Sequence, residues 1–199
     1  LGNESAKSTA GHVFVDLEAP TPPIMNPMPE YSKKGPITFT WSASSDDLAV
    51  EYRFQYSLDG GENWSTPVEL TGQSYTVVPT TEEPLDDGTV VQGRVWAVDA
   101  VGNPSMVSEA STTIDDAGPV VTITNPTAAV TTNAAKFTYE WTAIDAGCGV
   151  DYCTVVFNGG EHRVTATTGG GAYAWTGALI EGANTFEVWA TDKLGNKSK

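Results

Sequence analysis

Carboxylates recur in this chain at spacings suited to holding a cation. Asp99-Ala-Val-Gly-Asn103 returns as Asp192-Lys-Leu-Gly-Asn196, so each copy joins an acid, a permissive glycine and an amide on one tight loop. Calcium takes six to eight oxygen ligands and mixes carboxylates with amide and backbone carbonyls. Further acids accompany each copy: Asp16, Glu18, Asp46 and Asp47 go with the first, and Asp115, Asp116 and Asp145 with the second. The candidate ligands for calcium are therefore Asp16, Glu18, Asp46, Asp47, Asp99 and Asn103, then Asp115, Asp116, Asp145, Asp192 and Asn196. Clustered carboxylates repel until a cation or hydrogen bonds offset the repulsion. The same residue types also favour turns with no metal, because their side chains bond local backbone.

Other reactive groups are sparse. His12 and His162 are the only histidines, and neither has a ligand partner at helical spacing. Gly169-Gly170-Gly171 lacks the lysine and the helix that a phosphate cradle needs. No residue is assigned a catalytic role, and the chain is read as a non-enzyme. Cys148 and Cys153 can close a small disulfide loop in an oxidising compartment or remain reduced small hydrophobes; their spacing matches neither a redox pair nor a zinc ribbon. Three sequons, at Asn3, Asn63 and Asn196, offer glycan acceptors.

Composition narrows the classes. A formal net charge of −15 excludes a nucleic-acid partner, since nothing here neutralises phosphates. No apolar run reaches the length of a membrane span, so membrane insertion is not expected. Few basic residues and abundant Thr, Gly and Asn point to a secreted or cell-surface location.

The acids need elements to position them, and those elements repeat. Trp96-Ala-Val-Asp99 reappears as Trp189-Ala-Thr-Asp192, Trp41 as Trp141, and Tyr52 as Tyr152. A period near domain length marks a tandem array of one small fold. Leu1-Gly2-Asn3 is a third copy of the motif's tail. Ile37-Thr-Phe-Thr-Trp-Ser-Ala43 alternates strictly, putting Ile37, Phe39, Trp41 and Ala43 on one face, and Phe137 to Ala143 does the same. Tyr52–Tyr56, Asn184–Ala190 and Ser105–Ile114 read as further strands. Short strands between turn signals indicate an all-β chain of sandwiches.

The run Tyr52-Arg-Phe-Gln-Tyr-Ser-Leu-Asp-Gly-Gly-Glu-Asn-Trp64, followed by Asp87 to Asp99, resembles a fibronectin type III domain. Residues 115–199 resemble the immunoglobulin-like repeats of large bacterial and archaeal surface proteins, most specifically in Glu181 to Asn196. Gly93 departs from the type III pattern, standing where a large apolar side chain is usual. Ser57 to Trp64 also resembles an Asp-box hairpin, which is structural in its known settings. The resemblance implies two tandem immunoglobulin-like or fibronectin III-like β-sandwiches, spanning 16–114 and 115–199, preceded by an N-terminal strand within 1–15. It also places these candidate acids at one pole of each sandwich. The loop Glu82 to Gly88 should then face the acidic pole of the second.

Two further expectations concern contacts. Trp96 and Trp189 fall on the outward phase of their strands, where a Trp stacks on sugar rings, meets a protein neighbour or packs over long side chains. The second sandwich lacks its last strand by residue 199, whereas Val13-Phe14-Val15 reads as a last strand with no sandwich of its own. Addition of that strand to another copy, head to tail, builds a filament. A strand supplied from further along a longer repeat protein is the alternative. The expected role is a structural unit of an extracellular filament, stalk or surface layer with calcium-stiffened junctions. Its rivals are a carbohydrate-binding accessory module of a secreted enzyme and an adhesin segment that meets cell-surface glycan.

Overall fold

The computed structural model describes residues 11, 13–165 and 170–198. Among them there is no helix, and so none long and apolar enough to cross a membrane. The first seven strands are β1 (Tyr31–Ser32), β2 (Ile37–Thr40), β3 (Val50–Ser57), β4 (Val68–Leu70), β5 (Ser74–Val77), β6 (Val90–Asp99) and β7 (Ser108–Ile114). They form a sheet ordered β1-β7-β6-β3-β4 facing the pair β2-β5. The rest are β8 (Val120–Asn125), β9 (Lys136–Ile144), β10 (Val150–Phe157), β11 (Gly160–Thr165), β12 (Gly171–Ala178) and β13 (Phe186–Asp192). These make two sheets, β11-β10-β13 and β12-β9-β8.

Alternation along the strands decides what is buried. In β6, Val91, Gly93, Val95, Ala97 and Asp99 point inward, while Gln92, Arg94, Trp96 and Val98 are half-buried on the other face. Such a two-residue period fits a sheet with one face on a core. The first core packs Phe39, Trp41, Tyr52 and Phe54, with Trp41 stacked on Phe54 at 5.6 Å. The second packs Tyr139, Trp141, Val155 and Tyr173, with Trp141 stacked on Tyr173 at 5.7 Å. Each large apolar side chain fully buried contributes about 1.5–3 kcal/mol. The inward glycine is explained here: a Cβ on Gly93 would lie 2.9 Å from both the Phe39 and Phe54 rings. Aromatic bulk from the neighbouring strands fills the space that a side chain on β6 would take.

Several expectations need correction. Strand β2 ends at Thr40; Trp41 forms only a single bridge to Met25, and Ala43 is exposed rather than inward. The late strand runs Phe186–Asp192, two residues beyond the expected span. Val13, Phe14 and Val15 lie outside the strands of this chain and are exposed at 87%, 93% and 74%. The two cysteines are free. Cys153 points inward from β10, where its Sγ accepts the Trp141 indole N–H at 3.3 Å, while Cys148 lies in the preceding loop among carboxylates. His12, Asn3 and Gly169 lie outside the described residues.

Candidate functional site

Each acidic pole is built on the turn that follows its Trp-Ala-x-Asp strand. Asp99 Oδ1 accepts the backbone N–H groups of Val101, Gly102 and Asn103 at 2.9, 2.7 and 2.8 Å. Its Oδ2 accepts Asn103 Nδ2 at 2.7 Å. Gly102 permits the closure with φ of 101°, a left-handed conformation that costs glycine no Cβ clash. The second turn repeats the clamp, as Asp192 accepts both the N–H and the Nδ2 of Asn196 at 2.8 Å.

The asparagines differ from their expected role. Asn103 Nδ2 also donates to the carbonyls of Asp16 and Glu18, and Asn196 Nδ2 to that of Asp115 at 3.0 Å. They staple the first segment of each sandwich to the turn as donors, where a cation ligand would present oxygen. The same bonds commit the Asn196 amide nitrogen and oppose a glycan there. The Asn63 amide nitrogen is likewise committed, donating to Asp59 at 2.7 Å.

Carboxylates converge twice. Asp16, Asp46 and Asp99 bring ligand oxygens within 4.8 Å of one another, as do Asp115, Asp145 and Asp192 together with the Cys148 thiol. Glu18, Asp47 and Asp116 are exposed and lie outside both groups. Cys148 was not anticipated as a member. Its place in the same short loop as Asp145 was the available signal.

The two groups differ electrostatically. Burial opposes charge on Asp99, but the N–H groups of Asn103, Gly102 and Val101 outweigh it and hold the carboxyl below its usual range. That acid is satisfied by its own turn. Burial lifts Asp145 above the usual range, against the N–H bonds of Gly149 and Gly147, and the charges of Asp115 and Asp192 add to the lift. Burial, with Asp115 alongside, pushes the Cys148 thiol to about 12, so it is neutral at physiological pH. The donor set near Asp145 fits a hard cation held by three carboxylates, with a protonated sulfur as bystander. Gly147 packs so closely on the Asp115 carboxylate that no side chain fits between them.

This second group lies where the sandwiches meet. The Asp115 N–H donates to Ser32 O at 2.9 Å, while its side chain accepts Cys148 N–H at 2.8 Å. Asp87, from the loop that closes the first sandwich, accepts the N–H groups of Asp116 and Ala117 at 2.8 and 3.1 Å. The loop Glu82 to Gly88, expected to face the second sandwich, meets it through Asp87, which accepts backbone N–H groups where a shared cation ligand was expected.

Trp96 and Trp189 are half-buried on outer sheet faces, opposite Arg53 and Thr154. The neighbouring Arg94 turns its guanidinium over Trp64 at 3.9 Å and bonds Gln55. The Asp-box hairpin closes through Asp59, which accepts Ser57 Oγ and the N–H of Asn63. His162 is exposed, its ring 5.0 Å from Trp175.

Paired sheets around two separate aromatic cores, with the repeated turn clamps, define tandem immunoglobulin-like, fibronectin III-like repeats. Residues 119–199 match the family model described as glucodextranase, domain B. Chitinase A1 of Niallia circulans is 32% identical over 167 residues, covering 81% of this chain. The chain spans 22% of the length of that relative. Among solved structures, the fibronectin(III)-like modules of Clostridium thermocellum CbhA align with a TM-score of 0.40 at 14% identity, covering 88% of this chain and 90% of that one. A 1.5-MDa bacterial ice-binding adhesin aligns with a TM-score of 0.46 at 13% identity, covering 92% of this chain and 62% of that one.

Proposed function

We propose that the chain is a non-catalytic structural repeat unit of an extracellular filament, stalk or surface layer, stiffened by calcium at the junction of its sandwiches. The observation that carries this reading is the group Asp115, Asp145 and Asp192, gathered within 4.8 Å at the meeting of the two sandwiches. Asp115 and Asp192 are only 2% and 1% exposed, so their charges are poorly screened by solvent. A divalent cation there offsets the repulsion and couples β7, β8 and the Asp192 turn. Its binding stabilises the folded state in proportion to its preference for that state.

Thermal melting tests this with EDTA and then with excess calcium. The expected result is a higher melting temperature of the second sandwich in calcium. Asp145→Asn should raise the metal-free melting temperature, by removing a repelling charge, and abolish the calcium response. A wild-type melt indifferent to calcium would dismiss the metal.

A second reading is a carbohydrate-binding accessory module of a secreted enzyme, supported by the similarity to a chitinase and by the half-buried Trp96 and Trp189. Polysaccharide pull-down lost in Trp96→Ala or Trp189→Ala would favour it over the stalk.

A further inference from the structure

The two sandwiches differ at one hairpin. In the second, β10 turns into β11 through Asn158 and Gly159, with Phe157 opposite Gly160. In the first, β3 ends at Ser57 and its partner β4 begins only at Val68; the chain between them carries the Asp59 network and Trp64. Two residues are enough to close such a strand pair, so the fold does not demand the added length. A second difference lies beside it. Tyr52 pairs with Ala97 and Cys153 with the corresponding Ala190, so the register sets Tyr56 against Phe157. The first sandwich therefore has a hydroxyl where the second has none, and this hydroxyl donates to Glu83 Oε2 at 2.7 Å.

Here lies an open cavity of about 270 Å³, lined in part by Tyr56, Ser57, Asp59, Asn63, Trp64 and Glu83. Its hydrogen-bonding capacity is one-sided. The Ser57 hydroxyl is committed to Asp59 at 2.6 Å, the Tyr56 hydroxyl to Glu83, and the Trp64 indole N–H to Gly61 O at 2.9 Å. Ser65, also in the lining, donates to Thr66 O, and an Asn63 amide hydrogen goes to Asp59. Glu83 Oε1 and Asn63 Oδ1 accept no hydrogen bond among the described residues. The Asp59 carboxyl, held to about 2, is ionised at neutral pH, and the Tyr56 hydroxyl, pushed up to about 12 by its bond to Glu83, stays a donor. Among the described residues no basic side chain lines the cavity. The Trp64 ring already accepts a cation from outside the lining, the Arg94 guanidinium at 3.9 Å.

Spare acceptors, two carboxylates and two aromatic rings select a cation that carries donors alone. An alkyl ammonium answers this description: three N–H donors, no acceptor, and a stem that packs on aromatic surface. A sugar answers it less well, because each hydroxyl also presents lone pairs and the donors here are committed. The net charge of −15 adds long-range attraction for a basic partner. We propose that this cavity receives the ammonium end of a lysine side chain from a partner protein, its stem against Trp64 and Tyr56 and its N–H groups on Glu83, Asn63 and Asp59. The site is separate from the acidic group at the junction and does not depend on a metal there. Its carboxylates are exposed and screened, so one isolated lysine binds only at about millimolar concentration and serves as one contact of a larger interface.

The test uses the 199-residue chain with three probes: Nα-acetyl-lysine methylamide, its norleucine analogue and glucosamine. Binding is read from NMR shifts of the Trp64 indole N–H and the Asn63 amide. The lysine probe is expected to shift both saturably, less so at high salt, and the uncharged norleucine probe to leave them in place. Glu83→Gln still accepts the Tyr56 hydroxyl and should keep the melting temperature, yet weaken the lysine probe about three- to fivefold, the loss of one exposed charge contact. Equal shifts from norleucine, or lysine binding untouched by Glu83→Gln, would overturn the ammonium site. Glucosamine binding more tightly than the lysine probe would overturn the protein partner and point to an amino sugar. No saturable shift with any probe would overturn the cavity as a binding site.

Discussion

Single side chains here do work that their type alone does not reveal. Gly93 is a packing residue: the Phe39 and Phe54 rings, 5.6 Å apart, close over it. Gly93→Ala should therefore destabilise the first sandwich by about 1–3 kcal/mol through overpacking, read from its urea midpoint. Asp59 acts through hydrogen bonds. The N–H of Asn63, the Ser57 hydroxyl and the Asn63 amide hold its carboxyl down to about 2. A carboxyl depressed on folding contributes stability that is full above its unfolded value, near 4, and is lost as pH falls toward 2. The melting-temperature gap between wild type and Asp59→Asn should thus be constant from pH 7 to 5 and close between about pH 4 and 2. A gap that stays open at pH 2 would mean that the Asp59 carboxylate does not hold the hairpin.

At the scale of elements, the strands were legible wherever a two-residue period ran through β-branched and aromatic residues, as in β3, β6 and β9. Their ends were less so. Trp41 and Ala43 continue the alternation of β2, yet beyond Thr40 the ladder dwindles to the Trp41 N–H bond to Gln73 O and the bridge to Met25, and Ala43 turns to solvent. Strands β4, β8 and β11 carry little burial and hence little period; in β11 only Val164 is even half-buried. The candidate site was legible as residue types at repeated turns. Which acids converge was not, since Glu18, Asp47 and Asp116 differ from their neighbours only in the direction that the loop gives them. Cys148 entered the second group for the same reason. Its thiol lies in a loop aimed at Asp115, whereas Cys153 alternates into the core beside Trp141.

The whole molecule is held at its waist by few bonds. Asp87 supplies one carboxylate oxygen to two N–H groups of the opposite sandwich, worth about 1 kcal/mol each. Asp87→Ala should leave both melting temperatures nearly unchanged and widen the spread of inter-sandwich orientations, seen in residual dipolar couplings. Unchanged couplings would show that the remaining contacts suffice. Asp115 belongs to both halves at once: its N–H bonds Ser32, its carbonyl accepts Asn196, and its side chain lies in the acidic group. No slack residue separates the last hydrogen bond of one sandwich from the first of the next. Turning one half against the other must therefore twist the backbone torsions at this one residue or break the bonds it makes to both.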